Sequence, residues 1–413
     1  MSRRTVEWLK TGLIAVLFVS AVLLGYSSDV FTGLAGTFSS SQATSSESGT
    51  SGSILAEAAR PIVLVLTNSA VERAVFKYDM DALDLVYERT SSSLGEALSA
   101  LSEPEECTEA QWREALQAPG IMFEYHSSIP LELIRYWLGA SGDGYGIKLR
   151  RICLVYSDNA SALYLEDDGK FYVSQTASLG GESSISTTYD DSLKYQFEEY
   201  GDTLAPYMIL SASDSAHAAA ICQNPLADSS ALSSAVSLLG IDLRLTSSYP
   251  ESDGTRVYVS STFVLSVSPD GFVNYSRDVE NTAMTTALCD AVELARRTVA
   301  STIGALSGDA RVYYTGYSTD GGDVTVTFDY FFAGGRIFFP GHSNAAKITV
   351  SGNAVTAFSL HFRNVTPTNG MVLLPETQAL AISDGEFALG YADSASAFPF
   401  WYRYDSMLGG GDS

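Results

Sequence analysis

The pattern of hydrophobic and polar residues divides the chain into an apolar segment near its start and a long region of short alternating runs. Residues 13–24 form an uncharged apolar run, and a stretch dominated by Ser, Gly and Thr follows at residues 39–53. From residue 61 onwards, short apolar runs are separated by turn dipeptides such as Asp-Gly, Gly-Gly and Gly-Asn. Such runs are typical of strands joined by tight turns. The pattern therefore predicts a membrane-directed segment, a linker and a strand-rich region.

The apolar segment is predicted to be a single membrane anchor. Arg3, Arg4 and Lys10 precede it, and because cytoplasmic loops retain such cations, the N-terminus is expected in the cytoplasm. Trp8 and Tyr26 bracket the segment, roughly 27 Å apart along a helix, which suits aromatic side chains at the two membrane interfaces. We expect a cytoplasmic tip (1–10), a transmembrane anchor (11–30) and a Ser/Gly-rich linker (31–56), with the rest of the chain extracytoplasmic.

Two alternatives stay open for this segment. Its uncharged core is short for a spanning helix and near the length of a signal-peptide core, and a cleavage site is conceivable after Ala35, which has Gly33 two residues before it. Within a retained anchor, Ala21 and Gly25 form a small-xxx-small pair that would let a partner helix approach closely. Small residues also occur in membrane helices without such a partner.

Residues 57–215 are predicted to form an α+β extracytoplasmic domain. Thr108, with Gln111 three residues on, has the pattern of a helix N-cap. Asp167-Asp168-Gly169 separates two alternating runs and predicts a hairpin. The main predicted helices are 79–101, 108–116, 130–138 and 191–200, and the main predicted strands are 61–66, 75–78, 121–125, 148–156, 162–165 and 170–173.

The second half contains a weak internal duplication, in which one helix precedes an antiparallel meander in each copy. The copies are predicted as two related domains, 216–280 and 281–405, before a flexible tail at 406–413. Each would pack its helix on one face of its sheet, and the overall fold class is α+β. The predicted helices are 232–239, 282–303 and 376–382, and the predicted strands are 243–246, 256–267, 272–275, 310–314, 323–332, 336–339, 346–350 and 354–362.

Composition removes several classes of function. The formal net charge is −24, and a surface this acidic repels nucleic acid, so that DNA or RNA binding is not expected. The four cysteines, Cys107, Cys153, Cys222 and Cys289, are widely spaced and form no CxxC pair. They are interpreted as buried apolar residues rather than a disulfide framework or a metal site.

No catalytic, cofactor-binding or metal-binding signature is found in the sequence. The four histidines, His126, His217, His342 and His361, are far apart and form no metal-binding motif. Residues 341–345 (GHSNA) imitate a nucleophile elbow, but a strand is predicted after them where an elbow needs a helix. Residues 374–377 (LPET) imitate a sortase motif, yet they are interpreted as a proline that opens a helix. We expect no enzyme activity and no small-molecule substrate.

With this layout, the chain resembles the YycH/YycI family of Gram-positive bacteria. The resemblance rests on four features: the basic tip with a single anchor, the early strand-helix unit at 59–90 (ARPIVLVLTNSAVERAVFKYDMDALDLVYERT), the strand-turn pattern at 263–276 (FVLSVSPDGFVNYS), and the blocks VTVTFDYFFAGGRIFFPG, AAKITVSGNAVTAFSLHFR, LLPETQALA and FPFWYRYD. The last set also resembles a PepSY-like module. The chain's acidity and its Ser/Gly-rich linker depart from the family pattern.

The resemblance implies a function without catalytic residues. Members of the family are single-pass proteins whose extracytoplasmic parts modulate a sensor histidine kinase, partly through contacts between membrane helices. The implied partners are such a kinase, a second single-pass regulator and the membrane. A different hypothesis is an extracytoplasmic binding or inhibitor module for cell-envelope material or for a peptidase.

Overall fold

The computed structural model describes residues 55–68, 73–156, 161–176, 195–196, 210–211, 216–227, 229–237, 239, 241–277, 286–383 and 386–404. In this part of the chain no helix is long and apolar enough to cross a membrane. The predicted anchor at 11–30 and the predicted tail at 406–413 lie outside it. The described residues all belong to one compact unit.

The described residues form an α+β fold, as the sequence predicts. The helices are α1 (Met80–Ser99), α2 (Glu109–Ala115), α3 (Leu131–Leu138), α4 (Ser229–Ser237), α5 (Leu288–Ser301) and α6 (Glu376–Ser383). The first ten strands are β1 (Val63–Thr67), β2 (Arg73–Phe76), β3 (Glu105–Glu106), β4 (Gly120–Pro130), β5 (Lys148–Tyr156), β6 (Ser161–Asp167), β7 (Lys170–Thr176), β8 (Tyr195–Gln196), β9 (Leu210–Ser211) and β10 (Ala216–Gln223). The others are β11 (Ser247–Pro250), β12 (Arg256–Val259), β13 (Phe263–Val267), β14 (Phe272–Arg277), β15 (Arg311–Asp320), β16 (Asp323–Phe332), β17 (Gly335–Phe338), β18 (Ala346–Ser351), β19 (Ala354–His361), β20 (Asn364–Val372), β21 (Phe387–Ala392) and β22 (Pro399–Arg403).

The first sheet has seven strands in the order β2-β1-β4-β5-β6-β7-β3. The apolar side chains on its two faces belong to two different hydrophobic clusters. Helices α1 and α3 cover one face of the sheet, and α2 covers the other. Leu64 and Phe123 lie in the main core, whereas Val63 and Met122 pack with Trp112 of α2. Continuous apolar runs such as 61–66 are therefore strands buried on both faces.

The second sheet has eleven strands and crosses the predicted domain boundary at residue 280. Its order is β11-β12-β13-β14-β19-β18-β16-β17-β21-β22, with β15 on the free side of β16. The link across the boundary is the antiparallel pair of β14 with β19. The elements on both sides also share one hydrophobic core. The domain boundaries themselves stay predictions.

Local sequence signals set several helix ends and turns as expected. The Thr108 Oγ1 accepts a hydrogen bond from the Gln111 amide at 3.3 Å, and Gln111 Oε1 accepts one from the Thr108 amide at 2.8 Å, which completes a capping box. β6 and β7 turn back on each other with Asp167 opposite Lys170. Glu376 begins α6 directly after Pro375, as predicted.

Other predicted elements are wrong or shifted. Residues 243–245 form one turn of 3₁₀ helix rather than a strand, because the Asp242 side chain accepts a hydrogen bond from the Arg244 amide at 3.0 Å and closes a turn. The predicted helix 282–303 begins at Leu288 in the described residues and ends at Ser301. Of the predicted helix 191–200, only Tyr195–Gln196 is described, and it is a short strand.

Gly120, the first residue of β4, offers a stability test of the first sheet. A Cβ placed there would lie 2.3 Å from the carbonyl oxygen of Leu154 in β5. We predict that Gly120→Ala lowers the free energy of unfolding by about 1–3 kcal/mol, as forced overpacking usually does. Gly370→Ala is the matched control, because its Cβ would meet nothing closer than 3.5 Å. Equal urea-unfolding midpoints for the two variants would contradict this packing.

Candidate functional site

The residues that the sequence singles out as candidate sites lie outside the described residues. Arg3, Arg4, Trp8, Lys10 and Tyr26, proposed at the membrane interface, lie outside the described residues. The candidate helix contact formed by Ala21 and Gly25 also lies outside them. Their roles stay predictions.

A buried cluster of charges, which we call the inter-sheet charge cluster, joins the first sheet to the second. Its members Glu124, Arg151 and Glu166 are directly opposite one another on β4, β5 and β6. The Arg151 guanidinium lies 2.8 Å from Glu124, 2.9 Å from Glu166 and 3.1 Å from Glu386, which directly precedes β21 of the second sheet. Arg150 pairs with Glu124 and Glu386 as well.

The electrostatics of this cluster depend on the two arginines. Burial alone would raise the pKa of Glu386, but Arg151 and Arg150 together lower it to about 2. For Glu166 the balance is reversed, because burial outweighs the attraction of Arg151 and raises its pKa. The ring of Tyr404 lies 3.7 Å from the Arg150 guanidinium, a cation-π contact from the last described residue. Through Glu386 and Tyr404, the cluster thus connects the last described strands to the first sheet.

A second set of polar contacts makes a similar link. The Glu376 carboxylate at the start of α6 is 3.1 Å from the Lys77 ammonium and accepts a hydrogen bond from the Tyr78 hydroxyl. The Tyr78 ring makes an edge contact with His217 at 4.6 Å, and His217 contacts Trp401 at 5.3 Å. A cavity of about 50 Å³ between the two sets is lined by Lys77, Arg150, Arg151 and Trp401 among others. Its small volume and dense pairing indicate a structural junction.

The four histidines do not gather at one site, although the rings of His342 and His361 are in contact. His126 makes an edge contact with Phe331, and His217 lies in the second polar set; burial lowers the pKa of both histidines. His361 is sandwiched between Phe272 and Phe339 at 4.3 and 4.6 Å, and burial lowers its pKa to about 3. The exposed His342 covers it at 4.3 Å. No three His, Cys, Asp or Glu side chains of the described ranges are grouped as metal ligands.

The other imitated motifs and the cysteines behave as structural features where the chain is described. The strand β18 follows residues 341–345, as predicted for a sequence that is not a nucleophile elbow. The cysteines are free thiols; Cys153 and Cys222 are buried, whereas Cys107 and Cys289 are half-buried.

An open concave surface lies on one face of the second sheet. Strand register places seven side chains, one per strand, in a row across the sheet, which we call the first ladder: Tyr249, Val257, Ser266, Asn274, Ser359, Lys347 and Thr327. The second ladder runs beside it: Ser247, Val259, Val264, Ser276, Ala357, Thr349 and Thr325. Directly paired residues point to the same side of a sheet. Both ladders therefore belong to one face.

The opposite face of these strands is the core face. Val326, Ile348 and Phe358, which alternate with the ladder residues, are buried in the main core with Val292 and Ala295 of α5. The ladder residues between Val264 and Lys347, by contrast, are half-buried or exposed. They line an open depression of about 400 Å³, which we call the polar trough. Its volume is within the usual range of ligand sites, about 300–1,000 Å³.

Comparison with known proteins gives one informative match for the fold. No family model and no curated protein matches the sequence. Among solved structures, YycH from Bacillus subtilis has a similar fold, with a TM-score of 0.53 and 10% sequence identity over 84% of this chain and 94% of that one. The chain therefore has a YycH-like fold.

Sequence reasoning missed both the inter-sheet charge cluster and the polar trough. A signal for the first was present, because Arg150 and Arg151 directly precede the apolar run 152–156 in a predicted strand, and a buried arginine requires partners. The trough left no local signal, since its rows appear only when the strand register is known.

The charge cluster predicts a defined acid sensitivity. The pKa of Glu386 falls from an ordinary 4.5 to about 2 in the folded protein, which corresponds to about 3 kcal/mol of stabilisation at neutral pH. Because the folded pKa is the lower one, this stabilisation is complete above about pH 4.5 and is lost as the pH falls through about 2. We predict that Glu386→Gln lowers the free energy of unfolding by about 3 kcal/mol at pH 7, with a difference from wild type that shrinks across this interval.

Chemical denaturation at several pH values measures this difference. Glu251→Gln changes an exposed carboxylate and is the matched control. A wild-type-like stability for Glu386→Gln at pH 7 would show that the cluster does not hold the two sheets together.

Proposed function

We propose that the protein is a non-enzymatic regulator, anchored by one membrane helix, that modulates a two-component sensor histidine kinase. The observation that carries this proposal is the YycH-like fold across most of both chains. The sequence resemblance to the YycH/YycI family implies kinase regulation rather than catalysis. The basic tip and the apolar run at 11–30 support a cytoplasmic N-terminus and an extracytoplasmic bulk.

The finer parts of the proposal come from the sequence. The repeated helix-and-meander pattern supports a PepSY-like character for residues 281–405, and the family supports a second single-pass regulator, of the YycI kind, as a further partner. Ala21 and Gly25 would give the kinase helix a close contact surface in the membrane. Regulation requires that the protein bind one signalling state of the kinase more tightly than the other, since only differential affinity shifts an equilibrium.

The membrane-helix contact is testable in the native host. We predict that replacing residues 11–26 with an unrelated apolar helix weakens regulation. The measurement is the phosphorylated fraction of each response regulator in a deletion strain complemented with wild type or with the chimera. The deletion should change the phosphorylated fraction of one response regulator. Wild type should return that fraction to its normal value, and the chimera should return it only in part, at equal membrane abundance.

Point variants sharpen the same test. Ala21→Ile with Gly25→Ile fills the small-residue surface, whereas Leu23→Ile changes the opposite side of the helix and is the matched control. Full restoration by the chimera and by the double variant would refute a specific helix contact.

A second candidate is an extracytoplasmic binding or inhibitor module for envelope material or a peptidase. The polar trough is the observation that favours it, because an open depression of about 400 Å³ is large enough for a ligand. This candidate predicts that residues 57–413, without the anchor, retain full activity and capture wall fragments or a peptidase. Capture of neither would leave the kinase regulator as the better account.

A further inference from the structure

We propose that the polar trough binds an extended acidic glycan, a chain of β-linked sugars that carries carboxylate groups and lies across the strands. The site goes beyond the regulation of a kinase and does not depend on it. It is assigned from the ladder residues, their spacing and their charge.

The spacing of the ladders fits a repeating ligand. Neighbouring strands are about 4.8 Å apart, which is close to the length that one pyranose adds to an extended glycan. The four strands that line the trough, β13, β14, β19 and β18, supply Ser266, Asn274, Ser359 and Lys347 in one row. The three gaps between these four side chains add up to about 14 Å, so about four consecutive sugars, one per strand, would span the row. Each sugar would therefore meet one polar side chain of the first ladder.

The chemistry of the lining fits a ligand rich in hydroxyl groups. Ser and Thr hydroxyls both donate and accept hydrogen bonds, as sugar hydroxyls do. Ser359 donates to Asn274 Oδ1 at 2.7 Å, so that the Asn274 amide group can donate to a ligand. Thr325 and Thr349 are joined at 3.1 Å on the second ladder. Such a network holds its hydroxyls in fixed positions before a ligand arrives.

The charge of the trough selects an acidic ligand. The chain has 48 acidic and 24 basic residues, yet among the described residues that line the trough the one charged side chain is Lys347. Lys347 is exposed at the centre of the sheet, between Ser359 and Thr327. A carboxylate on the glycan would find a cation there and no like charge on the lining.

The borders of the trough provide aromatic surfaces. Tyr249, which is 51% exposed, continues the first ladder at the sheet edge. The half-buried Phe272 follows Asn274 on the same face, and the exposed His342 ring packs on it at 4.5 Å. His361, paired with Phe272, is buried beneath these rings. A protein partner fits less well, because protein interfaces have aromatic-rich cores and are depleted in Ser. Here the serines are central and the rings peripheral.

Calorimetry on the full chain in a zwitterionic detergent tests the proposal, with hyaluronan hexasaccharide as the acidic probe and chitohexaose as the uncharged one. We expect the hyaluronan fragment to bind more tightly. Ala357→Trp, which fills the trough, should abolish binding. Asn274→Ala should weaken it about 2–10-fold through the lost hydrogen bond.

Lys347→Ala should weaken hyaluronan binding about 2–5-fold, the range of an exposed ion pair, and leave chitohexaose binding unchanged. Lys170→Ala, an exposed lysine of the first sheet, is the matched control. Thermal unfolding confirms that each variant is folded. The proposal is overturned if neither oligosaccharide binds, if binding survives Ala357→Trp, or if Lys347→Ala and Lys170→Ala have equal effects. Because no kinase is present, failure here leaves the proposed regulation standing.

Discussion

The pairing of Arg151 with carboxylates from both sheets is the interaction on which the arrangement of the molecule depends. Arg151 is only 2% exposed and meets Glu124 and Glu166 within the first sheet and Glu386 at the entrance to the last hairpin. The buried Arg151 and the half-buried Arg150 beside it would be very costly without these partners. The C-terminal hairpin must therefore return to the first sheet. Arg311 of β15 also pairs with Asp84 of α1, so the second half of the chain meets the first at more than one place.

A second constraint follows from the pairing of β14 with β19. These strands are distant in sequence, and their register aligns the strands before residue 280 with those after it. With α5 on one face, the alternation of side chains leaves Ser, Thr and Asn on the other. The result is one continuous face of the sheet that is rich in Ser, Thr and Asn and also carries Val257, Val259 and Val264. A regulator that binds a partner and an envelope ligand needs separate surfaces, and the membrane segment and the trough would supply them.

The local features were predictable from the sequence because their causes are local. The Thr108 capping box, the Asp167–Gly169 hairpin and the proline-led start of α6 each depend on a few neighbouring residues. The strand predicted at 243–246 was wrong because the Asp242 side chain offers the backbone an alternative to a strand.

The long-range features could not be read from the sequence. The parallel pair of β17 with β21 and the pair of β10 with β20 join segments that are distant in sequence. Nothing in the sequence of either strand indicates its partner. The trough has the same origin, because Ser266, Asn274 and Ser359 form a row only through register. The charge cluster was predictable only in part. The adjacent arginines indicate that acidic partners are needed, but they do not identify Glu386 as one of them.

The most direct test of the central claim is photo-crosslinking of the full-length protein in its native membrane, followed by mass spectrometry of the captured proteins. The crosslinking residue would be placed at Phe18, which shares the Ala21 and Gly25 face of the predicted anchor, and at Tyr249 on the exposed sheet edge. A membrane-anchored regulator of a histidine kinase predicts capture of one sensor kinase, together with a second single-pass protein, from the anchor position. Capture of wall enzymes or peptidases from both positions, with no kinase, would contradict the account.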